Sequence, residues 1–326
     1  MIQHYFGLFL AWLLLNRAAL ERPGTTPAML LFLLGSAAIV ACACACACAA
    51  DDVADYRNGS DAINYQEGET LRDIRKKPQL SGAVTERQAI GFAISAGTAA
   101  LLAGALAFWV LRWQAPAEAY VIYAAGFFFS VQYSVGMKVS YRRGGGETLL
   151  CLSTAAGLLA PFLAVNREWT RAAVIQSLLL GLWLVMVSSY SNMNDAEGDR
   201  SVGRKTLAVT AAPAVITAMQ VALFLTSTSL LIWISLGDLP RWTLLTSLPT
   251  IALHGAQLFH GPHKKNWLRA RNLGLIAYNF DFASWGSAEN SAAARTSMYW
   301  PMISSARSSH QMSRTVAGAS AMIRSE

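Results

Sequence analysis

Apolar residues come in long blocks along this chain and do not alternate with polar ones. The blocks run over 28–50, 90–111, 120–135, 149–165, 172–190, 209–236 and 244–259. Each approaches the roughly 20 apolar residues that cross a bilayer as a helix, the shorter ones with help from their flanks. An eighth, weaker block covers residues 1–20. It lacks a basic leading segment and a small-residue cleavage site, so it reads as a first transmembrane helix and not as a signal peptide. A ninth begins at Asn272 and stalls at Asp281. One such block could be the buried helix of a soluble protein, but seven or eight in series predict a membrane one. The expected fold is therefore all-α, a multi-helix transmembrane bundle of eight spans plus an incomplete ninth.

Polar stretches interrupt the blocks at informative places. Residues 51–87 contain Gly59, Gly68, Pro78 and Gly82, so they cannot form one unbroken helix. A Gly-rich loop covers 136–147 and a second polar stretch covers 192–205. From Ala283 to Glu326 the chain is rich in Ser, Ala and Arg, with neither a helical stripe nor strand alternation. The expected division is a transmembrane domain over 1–282 and a tail over 283–326, disordered in composition or the product of a frameshift or truncation.

Composition sharpens this picture. Of 326 residues, 54% are apolar and 14% charged, against about a quarter charged in a soluble domain. The net charge of +7 matters through its distribution. If the first span starts in the cytoplasm, the cytoplasmic loops hold Arg57, Arg72, Arg75, Lys76, Lys77, Arg87, Lys138, Arg142, Arg143, Arg200, Arg204, Lys205, Lys264, Lys265, Arg269 and Arg271. The other side holds only Arg17, Arg22, Arg112, Arg167, Arg171 and Arg241. This is the positive-inside pattern, and it removes the need for a nucleic-acid partner to explain the basic balance. All three polar stretches then lie on the cytoplasmic face, with the cell inner membrane as the expected location. Cys42, Cys44, Cys46 and Cys48 alternate with Ala. Residues two apart on a helix point about 200° apart, so these thiols do not converge on a metal and read as small apolar filler.

The chemistry lies in two acidic clusters. Asp51, Asp52 and Asp55 share roughly one face of a helix at the end of the second span, and Asp61 follows with a further oxygen. Asn192, Asn194, Asp195, Glu197 and Asp199 form the second cluster, in which Asp195 and Asp199 face the same way. Carboxylates gathered at a membrane edge need a neutralising cation. Mg²⁺ prefers oxygen ligands and binds through one or two carboxylates plus substrate phosphates. Arg72, Arg75, Lys76 and Lys77 follow the first cluster; Arg200, Arg204 and Lys205 adjoin the second. Mixed acid and base of this kind fits a metal-bridged diphosphate better than a bare cation. A cation transporter would carry its carboxylates at mid-membrane, not at span ends.

The run from Asp51 to Asp61 resembles the first aspartate motif of the UbiA-type intramembrane prenyltransferases. Within that family it is most similar to the menaquinone-pathway branch, although Asp51 stands where Asn is usual. Lys77-Pro78-Gln79-Leu80-Ser81-Gly82 resembles the family's following Arg-Pro-Leu-x-x-Gly segment. The stretch 192–209 resembles its second aspartate motif, and Tyr133, Gly136, Lys138, Tyr141, Gly146 and Glu147 fit its intervening loop.

This resemblance implies a helical bundle around a central cavity, and Mg²⁺-dependent transfer of a prenyl group from a polyprenyl diphosphate to a small aromatic acceptor, naphthoate-like or benzoate-like, within the lipid bilayer. Asp51, Asp52, Asp55, Asp195 and Asp199 would hold Mg²⁺. Lys77, Lys138, Arg200 and Lys205 would neutralise the departing diphosphate. Asp61, Arg72, Tyr133, Tyr141 and Asn192 would contact substrate, and Tyr133, Tyr141 and Trp183 offer π faces to an allylic cation. A membrane terpene cyclase on the same scaffold uses the same diphosphate chemistry without an acceptor. An inactive, truncated relative is the third reading, since the ninth helix is incomplete.

Overall fold

Away from water, a backbone satisfies its own hydrogen bonds most completely as helix, and the long apolar segments do so. A computed structural model of the chain describes residues 2–43, 48–68, 73–133, 135–237, 242–278 and 280. In chain order the helices are α1 (Ile2–Leu13), the single turn α2 (Arg17–Leu20), α3 (Thr25–Ala43), α4 (Cys48–Asn58), α5 (Ser60–Asn64), α6 (Glu86–Val110) and α7 (Ala117–Val131). They continue with α8 (Gly145–Asn166), α9 (Arg171–Ser201), the turn α10 (Leu207–Thr210), α11 (Pro213–Gly237) and α12 (Thr243–Leu258). Residues 267–278 form α13. No strand occurs among the described residues, so the all-helical expectation holds.

Four helices, α6, α8, α9 and α11, are long and apolar enough to cross a membrane; α7 and the Thr25–Ser36 part of α3 are apolar but shorter. Outward faces are apolar too: α6 presents Ile94, Leu102 and Trp109, and α11 presents Val215, Leu225 and Trp233. A helix beside water would keep such residues inward. The interior is a single core around Trp183, Tyr278, Phe32, Phe162, Leu158 and Leu179, all essentially inaccessible.

Small residues let the helices approach closely. Ala93, Gly97, Ala100, Gly104 and Ala107 line the buried side of α6. A Cβ at Gly104 would lie 2.2 Å from the Tyr123 hydroxyl oxygen, and that hydroxyl donates to the Ala100 carbonyl at 2.8 Å. Cys151 packs in the same manner against Gly181. Cys44 and Cys46 lie outside the described residues, as does 281–326.

Both polar stretches differ in detail from a loop. The first acidic cluster rides on its own helix, α4. Gly59, with φ of 83°, ends that helix in the left-handed region and admits α5. The second cluster is not a loop after a span at all: α9 continues unbroken to Ser201 and carries Asn192 to Asp199 on its last turns. These parts meet at one end of the bundle. At the other end, Arg22 donates to the Val165 carbonyl at 2.9 Å and Arg167 to the Gln114 amide oxygen at 2.8 Å.

Candidate active site

At the polar end, two cations each hold two carboxylates. The Lys77 ammonium lies 2.5 Å from Asp52 of α4 and 2.9 Å from Asp61 of α5. Burial alone would lower its pKa, but the charge and hydrogen bonds of Asp52 and Asp61 prevail and raise it above its ordinary value. Lys77 is therefore a fixed positive charge. Deeper in, Arg204 forks across Asp55, with contacts of 2.6 and 3.1 Å, and reaches Asp199 of α9 at 3.4 Å. All three side chains are buried. Asp199 also accepts from the Thr206 hydroxyl at 3.3 Å. One residue thus ties the first acidic motif to the second.

Local sequence explains why Arg204 reaches back. Gly203, with φ of 77°, turns the chain at the end of α9, and the Arg204 N–H then donates to the Asp199 carbonyl at 2.9 Å. The rings of Tyr133 and Tyr141 flank its guanidinium, at 6.0 and 5.9 Å to their centroids. Tyr141 also accepts from the Asn58 amide at 3.2 Å, joining the loop to α4. Glu147, buried in the first turn of α8, accepts from the Leu207 N–H at 2.9 Å and from Asn192 at 3.4 Å. It thereby fixes the segment after Arg204. On the other flank α5 lies tight on α9, since a Cβ at Gly198 would sit 2.4 Å from the Asn64 amide.

The anticipated residues divide accordingly. Asp52, Asp55, Asp61, Lys77, Asp199, Tyr133, Tyr141 and Asn192 are gathered here. Asp195 sits one turn before Asp199, partly buried. Lys138 is exposed, its ammonium 5.7 Å from the Tyr141 ring centroid. Arg200 and Lys205 are also exposed. Arg72 and the Asp51 side chain lie outside the described residues. Sequence reasoning passed over Arg204 in favour of its exposed neighbours and gave Glu147 no role in the site. The helix-ending Gly203 was the available signal for Arg204.

Does this donor set fit a divalent ion? Among the described residues no group of three or more His, Cys, Asp or Glu side chains encloses a metal position. Instead there are two carboxylate pairs, each sharing one cation and so left with one net negative charge. Hard oxygens offered in pairs fit Mg²⁺, which completes its shell with water and phosphate.

A family model, the UbiA prenyltransferase family, matches residues 8–278. The chain belongs to the UbiA prenyltransferase family. As a UbiA member with four apolar helices of spanning length, it is a prenyltransferase and an integral membrane protein. No curated protein matches the sequence significantly. Among solved structures, the apo form of a UbiA homologue from Aeropyrum pernix K1 is similar at a TM-score of 0.62 and 15% identity, covering 86% of this chain and 94% of that one. A UbiA homologue from Archaeoglobus fulgidus bound to DMAPP and Mg²⁺ is similar at 0.55 and 11% identity, covering 87% and 94%. At these identities the likeness is one of fold.

A cleft opens beside Asp52, Asp61 and Lys77. It holds about 520 Å³ and runs along the start of α6, past Ala89 and Phe92.

Proposed function

We propose that this UbiA member transfers a prenyl group from a polyprenyl diphosphate to a small aromatic acceptor, naphthoate-like or benzoate-like, with Mg²⁺ as cofactor. The observation that carries the reading is the joining of Asp55 and Asp199 through Arg204, beside Asp52 and Asp61 joined through Lys77. The Archaeoglobus homologue's DMAPP and Mg²⁺ agree with it.

Asp52, Asp55, Asp61, Asp195 and Asp199 would hold Mg²⁺, which supplies charge neutralisation of the leaving diphosphate. Lys77 and Arg204 stay protonated and stand ready to exchange a carboxylate for a phosphate oxygen. Lys138, Arg200 and Lys205 add positive field at the aqueous rim. Tyr133 and Tyr141 present ring faces toward the same space, suited to a cation-like allylic carbon. Glu147 and Asn192 hold the second motif in place. A prenyl tail belongs in lipid and a diphosphate at the aqueous edge, so a site at the helix ends serves both. The shorter helices α1, α3, α7, α12 and α13 complete further spans with their flanks, and the basic end faces the cytoplasm.

The test is an assay of membranes carrying the protein, with prenyl diphosphates of several lengths and a panel of naphthoate, hydroxybenzoate and homogentisate acceptors. Prenylated product that needs Mg²⁺ and disappears in Asp52→Asn and Asp199→Asn supports the reading. Cyclic hydrocarbon formed without an acceptor would replace it with the cyclase. No diphosphate consumption by folded protein would mark an inactive relative.

A further inference from the structure

We infer that the turn between α12 and α13 binds the headgroup of an anionic phospholipid, with Lys264, Lys265 and Arg269 around its phosphate. This rests on the reading of α12 and α13 as membrane spans and is independent of what the candidate active site transfers. All three cations are exposed, and none takes part in an ion pair among the described residues. From residue 239 to residue 280 the chain has no Asp or Glu, although it carries Arg241, Lys264, Lys265, Arg269 and Arg271. A basic group of this kind beside a span attracts anionic lipid headgroups.

The local backbone builds the group. The Lys264 N–H donates to the Phe259 carbonyl at 3.2 Å, closing a widened turn over Phe259–His263 at the end of α12. Lys265, with φ of 52°, then reverses the chain, and the Asn266 side-chain oxygen accepts from the Arg269 N–H at 3.1 Å, capping α13. The turn is anchored from behind. Trp267 stacks on Tyr190 of α9 with 6.3 Å between ring centroids, and a Cβ at Gly261 would lie 2.3 Å from the same Tyr190 ring. Tyr190 stands just before Asn192, so the turn lies at the same end of the bundle as the acidic motifs.

Apolar faces lead up to these cations. The outward side of α12 carries Leu245 and Leu248 and runs on to an exposed Phe259, while Ile276 and Phe280 are exposed after Arg269 at helical spacing. The Lys264 ammonium lies 5.5 Å from the Phe259 ring centroid, so charge and outward ring meet at one point. The positive-inside tendency accounts for the sign of a loop, but not for cations gathered with an exposed ring at the head of apolar faces. Acyl chains lying along those faces bring a phosphate to the turn. What the turn lacks selects the anion. A prenyl diphosphate comes with Mg²⁺, which needs carboxylates, and the hairpin has none. A phosphodiester carries a single charge and needs no metal. The chain's own residues after 280 hold four Arg against three Asp and Glu, so they offer no complementary charge.

Native mass spectrometry of the full chain in detergent micelles tests this without turnover. The probes are dioleoyl phosphatidylglycerol, dioleoyl phosphatidylcholine, free glycerol phosphate, and dimethylallyl diphosphate with Mg²⁺. Wild-type protein binds phosphatidylglycerol roughly tenfold or more tightly than phosphatidylcholine. The combined variant Lys264→Gln, Lys265→Gln, Arg269→Gln loses that preference, yet binds the diphosphate as before. The combined variant Arg87→Gln, Arg142→Gln, Arg143→Gln removes as many exposed cations from the same end and keeps it. Should the first variant melt early, Lys264→Gln and Arg269→Gln alone each weaken phosphatidylglycerol binding about fivefold, the worth of one cation at an anionic surface. No lipid preference in the wild type, equal loss in both combined variants, or unchanged affinity in both single variants overturns the assignment. So does glycerol phosphate binding as tightly as the lipid, which would mark a free-phosphate site. Loss of diphosphate binding in the first variant would give the turn to the prenyl donor instead.

Discussion

At the residue scale, position outweighs charge. Arg200, Arg204 and Lys205 are equivalent as a basic run, yet only Arg204 is buried, between Asp55 and Asp199. Removing one partner of a buried ion pair costs about 3–5 kcal/mol, because the other charge is left stranded. Arg204→Met is therefore expected to lower stability by that order in detergent micelles, whereas Arg200→Gln and Lys205→Gln stay within about 0.5 kcal/mol. Denaturant titration of the three variants checks this. Lys77 gives a pH prediction. Its folded pKa is raised, so its stabilisation is complete below the unfolded value of about 10.4 and is lost only as pH rises through the higher folded value. Lys77→Met should thus cost the same stability at pH 7 and pH 9, and any shrinking of the difference across that window would contradict the raised value. Sequence alone located the acidic residues by their helical spacing. It could not rank the neighbouring cations, because burial at Arg204 depends on a backbone turn at Gly203 and on rings from a distant loop.

At the element scale, hydrophobic blocks placed most helices to within a few residues. They misplaced the nature of the second acidic stretch. Polarity after a span reads as loop, but Asn192 to Asp199 keep helical geometry because α5, Glu147 and Arg204 hold them from three sides. Glycines within one helix also behave differently. A Cβ at Gly104 would meet the Tyr123 hydroxyl oxygen and ring at 2.2–2.6 Å, while at Gly91 nothing lies within 4 Å. Gly104→Ala should destabilise by about 1–3 kcal/mol through forced repacking. Gly91→Ala, in the same helix α6, should be neutral or stabilise by up to about 1 kcal/mol. Melting curves of the two purified variants decide the matter; similar melting points would mean that the α6–α7 approach is looser than described.

At the scale of the whole molecule, the two ends differ in charge and in purpose. Arg22, Arg112 and Arg167 close the end remote from the carboxylates, where Arg22 and Arg167 bond to neighbouring segments. Lys77, Lys138 and Arg204 belong to the other. In a cysteine-free background, Lys138→Cys is expected to react with a membrane-impermeant thiol reagent from the cytoplasmic side only, and Arg112→Cys from the opposite side only. Reversed labelling would invert the orientation while leaving the fold intact. The sequence assigns the two ends by loop charge alone, and the labelling decides that assignment. The joining of two acidic motifs across more than a hundred residues needs the tertiary fold.

The sharing of carboxylates by Lys77 and Arg204 has a consequence for the life of the protein before it meets a substrate. A cluster of bare carboxylates would repel itself apart, and such a protein would depend on metal from its first moments in the membrane. Here the chain supplies its own provisional counter-ions in Lys77 and Arg204, so the folded site is expected to hold together without any ion from outside. Wild-type protein should accordingly melt at the same temperature with and without a chelator of divalent cations. Arg204→Met should become chelator-sensitive, its stability borrowed from whatever cation the medium provides.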